Sequence, residues 1–194
     1  MNLSKVFINL KGKKNINFNK YLRDLGSLEE LEIIKHSYDL QAGSYIKFFL
    51  KYKENEKKYC DEISDIIKNK FGRFESFLDC GCGEMTISLS IIKSLKFIKK
   101  FLLFDISLNR MVAGERFLKK YLKSKYFKKT NFFCSSLDAI PLNDNSINLV
   151  FTNHAIEPNK KDAENIIREL YRVSNYGLIL NEPDYTTSSV IQKK

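Results

Sequence analysis

From Ser76 onward, short apolar runs alternate with longer stretches whose apolar residues recur every three or four positions. That is the pattern of strand–helix units building a parallel sheet. Five runs read as buried strands: 76–80, 101–105, 131–134, 147–152 and 177–181. Between them, Met85, Leu89 and Ile92 predict one helix, and Phe117, Leu118, Tyr121 and Leu122 a second. Ala163, Ile166, Ile167, Leu170 and Tyr171 predict a third, with the spacing of one buried helical face. Pro141 to Ser146 is turn chemistry. The first 70 residues differ: helical spacing appears at Leu28, Leu31 and Ile34 and again at Ile63, Ile66 and Ile67, and Lys5 to Leu10 is the one candidate strand. The Lys/Asn-rich stretch from Lys11 to Lys20 reads as a solvated loop. The expectation is an α/β chain with a mostly parallel sheet of about five strands. Residues 1–70 form a helical cap on residues 71–194, in one structural unit.

Composition adds limits. The chain has 194 residues, and 43% of them are hydrophobic, with fifteen Phe and ten Tyr, enough for a real core and too much for disorder. No apolar run approaches the roughly 20 residues of a membrane-spanning helix, and the start lacks a signal peptide's apolar core, so a cytoplasmic protein is expected. Cys60, Cys80, Cys82 and Cys134 lack metal-ligand spacing and read as buried, reduced thiols. The net charge of +10 is carried by dispersed lysines, with only six Arg. Arg is the usual reader of base edges, so the charge speaks for solubility and nucleic acid is not the favoured partner.

The chemistry concentrates in Phe77-Leu-Asp79-Cys-Gly81-Cys-Gly83-Glu84-Met-Thr86, where a strand ends in an acid and turns through two glycines into a helix. Glycines let a ligand approach the backbone, and the helix start presents free N–H groups, so a nucleotide-like ligand is implied. A dinucleotide loop of the form Gly-x-Gly-x-x-Gly would need glycine at Thr86 and would place Asp79 against a pyrophosphate. S-adenosylmethionine has an ammonium and no phosphate, so there the acid helps. The next strand ends in Asp105, an acid placed to accept from a ribose diol.

On these residues the chain resembles the class I S-adenosylmethionine-dependent methyltransferases, from about Tyr38 to Asp184. Leu78-Asp-Cys-Gly-Cys-Gly83 looks like their first motif, and Ala139-Ile-Pro141 through Ser146 to Thr152 is similar to their leading proline, turn and fourth strand. Tyr38 to Tyr45, Gly83-Glu84, His154 to Asn159, Glu169 to Val173 and Asn181 to Tyr185 look like a group of bacterial methyltransferase-domain proteins often associated with surface glycans. The resemblance implies a Rossmann-like fold with S-adenosyl-L-methionine as cofactor. Asp79, Gly81 and Gly83 would surround the donor's methionine end and Asp105 would hold its ribose. Ser136 and Leu137 stand where the family often has an acid and a small or apolar residue against the adenine, with the acid here replaced by a neutral hydroxyl. Tyr38 and Gln41 belong to a segment that would fold over the donor, with Tyr45 on the same face if the helix is continuous. Asn153, His154 and Glu157 would stand beside the transferable methyl, His154 as a base and Glu157 to orient it or bind the acceptor. The alternative is that His154 caps the loop and Glu157 charges the next helix start. Glu182 and Pro183 would line the acceptor side or face the surface.

These readings imply methyl transfer to an oxygen or nitrogen of a small molecule or glycan. The loop after the fourth strand has no Asn/Asp-Pro-Pro-aromatic motif and no Pro-Cys nucleophile, which disfavours base methylation by those routes. Two other readings stay open: a catalytically inactive or partner-dependent methyltransferase-like domain, and an RNA methyltransferase. Members of the fold usually add an antiparallel hairpin beside the fifth strand, whereas Thr186 to Ile191 supplies at most one short strand. The chain therefore reads as truncated at its carboxyl end, with an apolar edge at 177–181 that a partner or a second copy would complete.

Overall fold

The computed structural model describes residues 17–183, apart from 25 and 27. Four helices come first: α1 (Phe18–Asp24), α2 (Glu30–Gln41), α3 (Ser44–Lys51) and α4 (Lys53–Phe71). Then follow β1 (Ser76–Cys80), α5 (Thr86–Ser94), β2 (Lys100–Asp105), α6 (Leu108–Tyr121), α7 (Ser124–Phe127), β3 (Thr130–Cys134) and β4 (Ile147–Asn153). A 3-10 turn (Glu157–Asp162), α8 (Ala163–Val173) and β5 (Ser174–Asn181) complete the order. The strands form one five-stranded sheet in the order β3-β2-β1-β4-β5, every neighbouring pair parallel. The expected α/β, Rossmann-like sheet is therefore present.

Alternation along the strands splits the core in two, because successive side chains leave opposite faces of a sheet. Phe77, Phe101, Leu103, Leu149 and Phe151 meet Ile63 and Ile67 of α4, Leu89 and Ile92 of α5, and Phe117 of α6. Leu78, Leu102, Phe104 and Val150 face the other way, against Leu137, Ile140, Ile166, Leu170 and Val173. With both faces covered, β1 and β2 are buried almost end to end, which is why they read as continuous apolar runs.

Several expectations need correction. In α8 the buried face is Ile166, Leu170 and Val173, while Ile167 is 39% and Tyr171 74% exposed. Leu31 and Ile66 also face outward. α1 begins at Phe18, inside the stretch read as a loop. β5 starts at Ser174, three residues early, because α8 runs into it without a connecting loop. The helix over Tyr38 and Tyr45 is not continuous: it breaks at Gly43, which has φ 93°. Cys134 is exposed, although Cys60 and Cys80 are buried, and all four thiols are free. The candidate strand at Lys5 to Leu10 and the segment Thr186 to Ile191 lie outside the described residues. No helix among the described residues is long and apolar enough to cross a membrane.

Candidate functional site

Parallel pairing of β1 with β2 and β4 brings three strand ends to one edge of the sheet. The chain leaves β1 through Gly81, at φ 70°, where a side chain would put its Cβ 2.5 Å from the Cβ of Ala155. Only glycine adopts that backbone without strain, and only glycine leaves the gap in front of the strand ends open. Gly83, also at positive φ, donates its N–H to Asp105 Oδ2 at 2.9 Å, and Ser107 donates to Oδ1 at 2.9 Å. Each carboxylate oxygen keeps a free lone pair, so Asp105 can still accept from two hydroxyls. Met85 caps α5 in the left-handed conformation at φ 61° and is fully buried, which accounts for a glycine being the easier residue there.

Asp79 is buried beneath this turn and accepts from the Ser88 hydroxyl at 2.6 Å. Burial pushes its carboxyl up to about 7; the Ser88 bond opposes the shift and the nearby Asp105 adds to it. An ammonium placed here would favour the ionised acid.

Two adjoining cavities open above the strand ends. The first is walled by Asp105, Ile106, Ser136, Leu137, Ala155 and Ile34, among others; the second by Asp79, Gly83, Tyr59, Asn153 and Glu157. Tyr38, Gly81, Arg110, His154 and Pro158 stand on both walls. The residues expected from the sequence thus come together, with one exception. Gln41 turns back to donate to the Ser37 carbonyl at 3.1 Å and is on neither wall.

The supports of this pocket are carboxylates that accept from helix and turn starts. Asp39 of α2 accepts from the Ser107 hydroxyl at 2.6 Å and from the Asn109 N–H at 3.1 Å, fixing Tyr38 above Asp105. Glu84, buried, accepts from Gly43 N–H at 2.9 Å and Ile46 N–H at 2.8 Å at the start of α3. Glu182 accepts from the N–H groups of Ala155, Ile156 and Glu157 at 3.1, 3.2 and 3.3 Å, which holds the loop after β4. Glu182 is on the wall of neither cavity.

His154 sits in that loop at φ 53° and is half exposed, with Nδ1 3.8 Å from Glu157 Oε2. Beside it, Asn153 Oδ1 accepts from the Tyr59 hydroxyl at 3.0 Å and from Asn181 Nδ2 at 2.5 Å. Sequence reasoning missed Tyr59 and Arg110. Tyr59 lies far from Asn153 in the chain, and no local pattern marks it. Arg110 carried a signal, because a cation in the first turn of a helix opposes the helix dipole and needs a reason to be there.

Asp79, Asp105 and the glycine turn between them thus border one open region at the strand ends. The model of the ubiE/COQ5 methyltransferase family matches residues 16–187. The chain belongs to that family. A search of curated proteins finds no match to its sequence. Among solved structures, it is similar to magnesium protoporphyrin IX methyltransferase (ChlM) from Synechocystis PCC 6803 with bound S-adenosylmethionine. The TM-score is 0.62 at 14% identity, over 79% of this chain and 76% of that one. The methyltransferase domain of bacterial CtHen1 aligns at TM-score 0.54 and 18% identity, over 65% of each chain. The [4+2]-cyclase SpnF aligns at TM-score 0.52 and 17% identity, over 61% of this chain and 43% of its own. This member of the ubiE/COQ5 family thus spans less than half the length of the cyclase. At such identities the structural likeness speaks for the fold. The expectation of a class I S-adenosylmethionine-dependent methyltransferase, with that cofactor, holds at the level of family and fold.

Proposed function

We propose that the protein transfers a methyl group from S-adenosylmethionine to an oxygen or nitrogen of a small-molecule or glycan acceptor. The observation that carries the reading is the pair Asp79 and Asp105 on either side of a glycine turn whose missing side chains keep the strand ends open. Asp105 accepts from the ribose hydroxyls, Ser136 and Leu137 meet the adenine, and Asp79 faces the ammonium. S-adenosylmethionine supplies, when bound, a methyl activated by a sulfonium. What the protein must add is alignment of the nucleophile and, where the acceptor carries a proton, a base. His154 takes that proton at the mouth of the second cavity, and Glu157, 3.8 Å from its Nδ1, steadies the imidazolium. The helices before β1 act as a cap: Tyr38 and Tyr45 lie over the pocket from either side of the Gly43 break. The acceptor enters beside Tyr59 and Asn153.

Calorimetry with S-adenosylmethionine, using Asp105→Ala as control, tests the donor site. Micromolar binding that the substitution weakens at least tenfold is expected, since a hydrogen bond to a charged group is worth about 1.5–3 kcal/mol. No binding at millimolar donor would overturn it. Transfer of labelled methyl to a panel of hydroxyl and amine acceptors, with His154→Gln as control, tests the reaction. An intact donor affinity with no transfer to any acceptor would favour the inactive, partner-dependent reading.

A further inference from the structure

Arg110 stands on the walls of both cavities, and the donor and acceptor roles above leave its chemistry unused. It stands in the first turn of α6, three residues after the cap Ser107, and its side chain is 11% exposed. The guanidinium lies between two aromatic rings, with its carbon 4.7 Å from the centre of Tyr38 and 4.9 Å from that of Tyr45. Its Nε is buried without a hydrogen-bond partner. The nearest carboxylate oxygen, Glu84 Oε1, is 4.0 Å away and already accepts from the start of α3. A planar cation is therefore held in a pocket, against the helix dipole, with its buried Nε matched by no hydrogen-bond acceptor among the described residues. Such a group is built for a carboxylate, which the fork grips with two parallel bonds. The rings hold the cation in place without competing for its donors.

Position decides which carboxylate. The guanidinium covers Gly83, and a side chain at that position would collide with it. It also lies on the wall that joins the cavity of Asp105 to the cavity of Asp79. A donor with its ribose on Asp105 and its ammonium toward Asp79 carries its α-carboxylate into this region. We infer that Arg110, clamped between Tyr38 and Tyr45, binds the α-carboxylate of the donor's methionine end, and that the site selects adenosyl ligands bearing an intact amino acid. Asp79 and Arg110 then read the two opposite charges of one zwitterion. This inference rests on the donor reading above and deepens it.

The test compares three ligands on the full chain by calorimetry: S-adenosylmethionine, its decarboxylated form, and 5′-methylthioadenosine, which lacks the amino acid. Wild type should bind S-adenosylmethionine about ten- to hundredfold more tightly than the decarboxylated form, the range for hydrogen bonds to a charged group. Arg110→Met should erase that gap and leave 5′-methylthioadenosine unchanged, while Arg110→Lys, which keeps the charge but loses the fork, should restore part of it. The wild-type comparison needs no variant, so it stands even if Arg110→Met does not fold. Equal affinity of wild type for the first two ligands, with 5′-methylthioadenosine bound, overturns this inference alone. So does an Arg110→Met variant that weakens all three alike. Binding of none of the three by wild type overturns the donor reading and this inference together.

Discussion

The floor and the roof of the pocket are built on different principles. The floor is the edge of a parallel sheet: Asp79, Gly81, Gly83 and Asp105 sit on or directly after β1 and β2, and backbone pairing sets their spacing. The roof is made of helices and a loop held by single carboxylates: Asp39 on the start of α6, Glu84 on the start of α3, Glu182 on the turn after β4. A floor of this kind is rigid because moving one acid means moving a buried strand. A roof of this kind can be released by removing one side chain. The pocket thus combines a fixed sheet edge with a cover whose position depends on three carboxyl side chains.

The comparison is broken most severely at Gly81. Gly81→Val would force a branched side chain into a φ of 70° and against Ala155. Left-handed strain alone costs roughly 1–2 kcal/mol and overpacking about 1–3 kcal/mol more. Donor binding should be lost outright in calorimetry, and denaturant unfolding should register the destabilisation. Retained donor affinity would show that the gap in front of β1 is not the ligand's place.

Glu84→Ala should come next. It removes a buried cap, which costs about 0.5–2 kcal/mol, and with it the carboxylate nearest Arg110. Urea unfolding should show the loss. If roof and floor are separable, 5′-methylthioadenosine should still bind within a few-fold of wild type. An equal loss for that ligand would mean that α3 supports the floor as well.

A smaller effect concerns pH. With its carboxyl pushed up to about 7, Asp79 is protonated in the folded, ligand-free protein across a range where the unfolded chain ionises it. Stability should therefore fall as pH rises from the ordinary carboxylate range toward 7, and donor affinity should rise through the same window as the acid ionises to meet the ammonium. Asp79→Asn should flatten both curves. A flat wild-type profile would sink the role given to Asp79.

The mildest test is Glu182→Gln. It keeps the shape but removes the charge that caps 155–157, and should cost about 1 kcal/mol or less of stability. Methyl transfer should fall while donor affinity holds, because the loop carries His154 and not the ribose site. A drop in donor affinity of equal size would merge floor and roof at this point.

This division also explains what the sequence disclosed. The three central strands β1, β2 and β4 were legible because burial on both faces makes them nearly continuous apolar runs, and β1 matches its expected bounds. The acids and glycines were legible because strand, turn and helix follow one another within ten residues of Asp79. β5 was read late since Ser174, Asn175 and Tyr176 carry no apolar signal, though Ser174 Oγ already donates to the Gly177 carbonyl at 2.8 Å. Roof residues were harder. Glu84 meets Ile46 thirty-eight residues away, and Asp39 meets Ser107 sixty-eight residues away, separations over which no periodicity operates. The break at Gly43 was the exception that a glycine could have marked, and it moves Tyr45 to the other side of Arg110 from a position no continuous helix would give.

The central claim is that the floor alone places the donor. A crystal structure with S-adenosylhomocysteine tests it most directly. The account predicts ribose hydroxyls within hydrogen-bond distance of both oxygens of Asp105, the adenine beside Leu137, and the amino-acid end over Gly81 and Gly83. A ligand whose ribose makes no contact with Asp105, or that lies outside the two cavities, would contradict it.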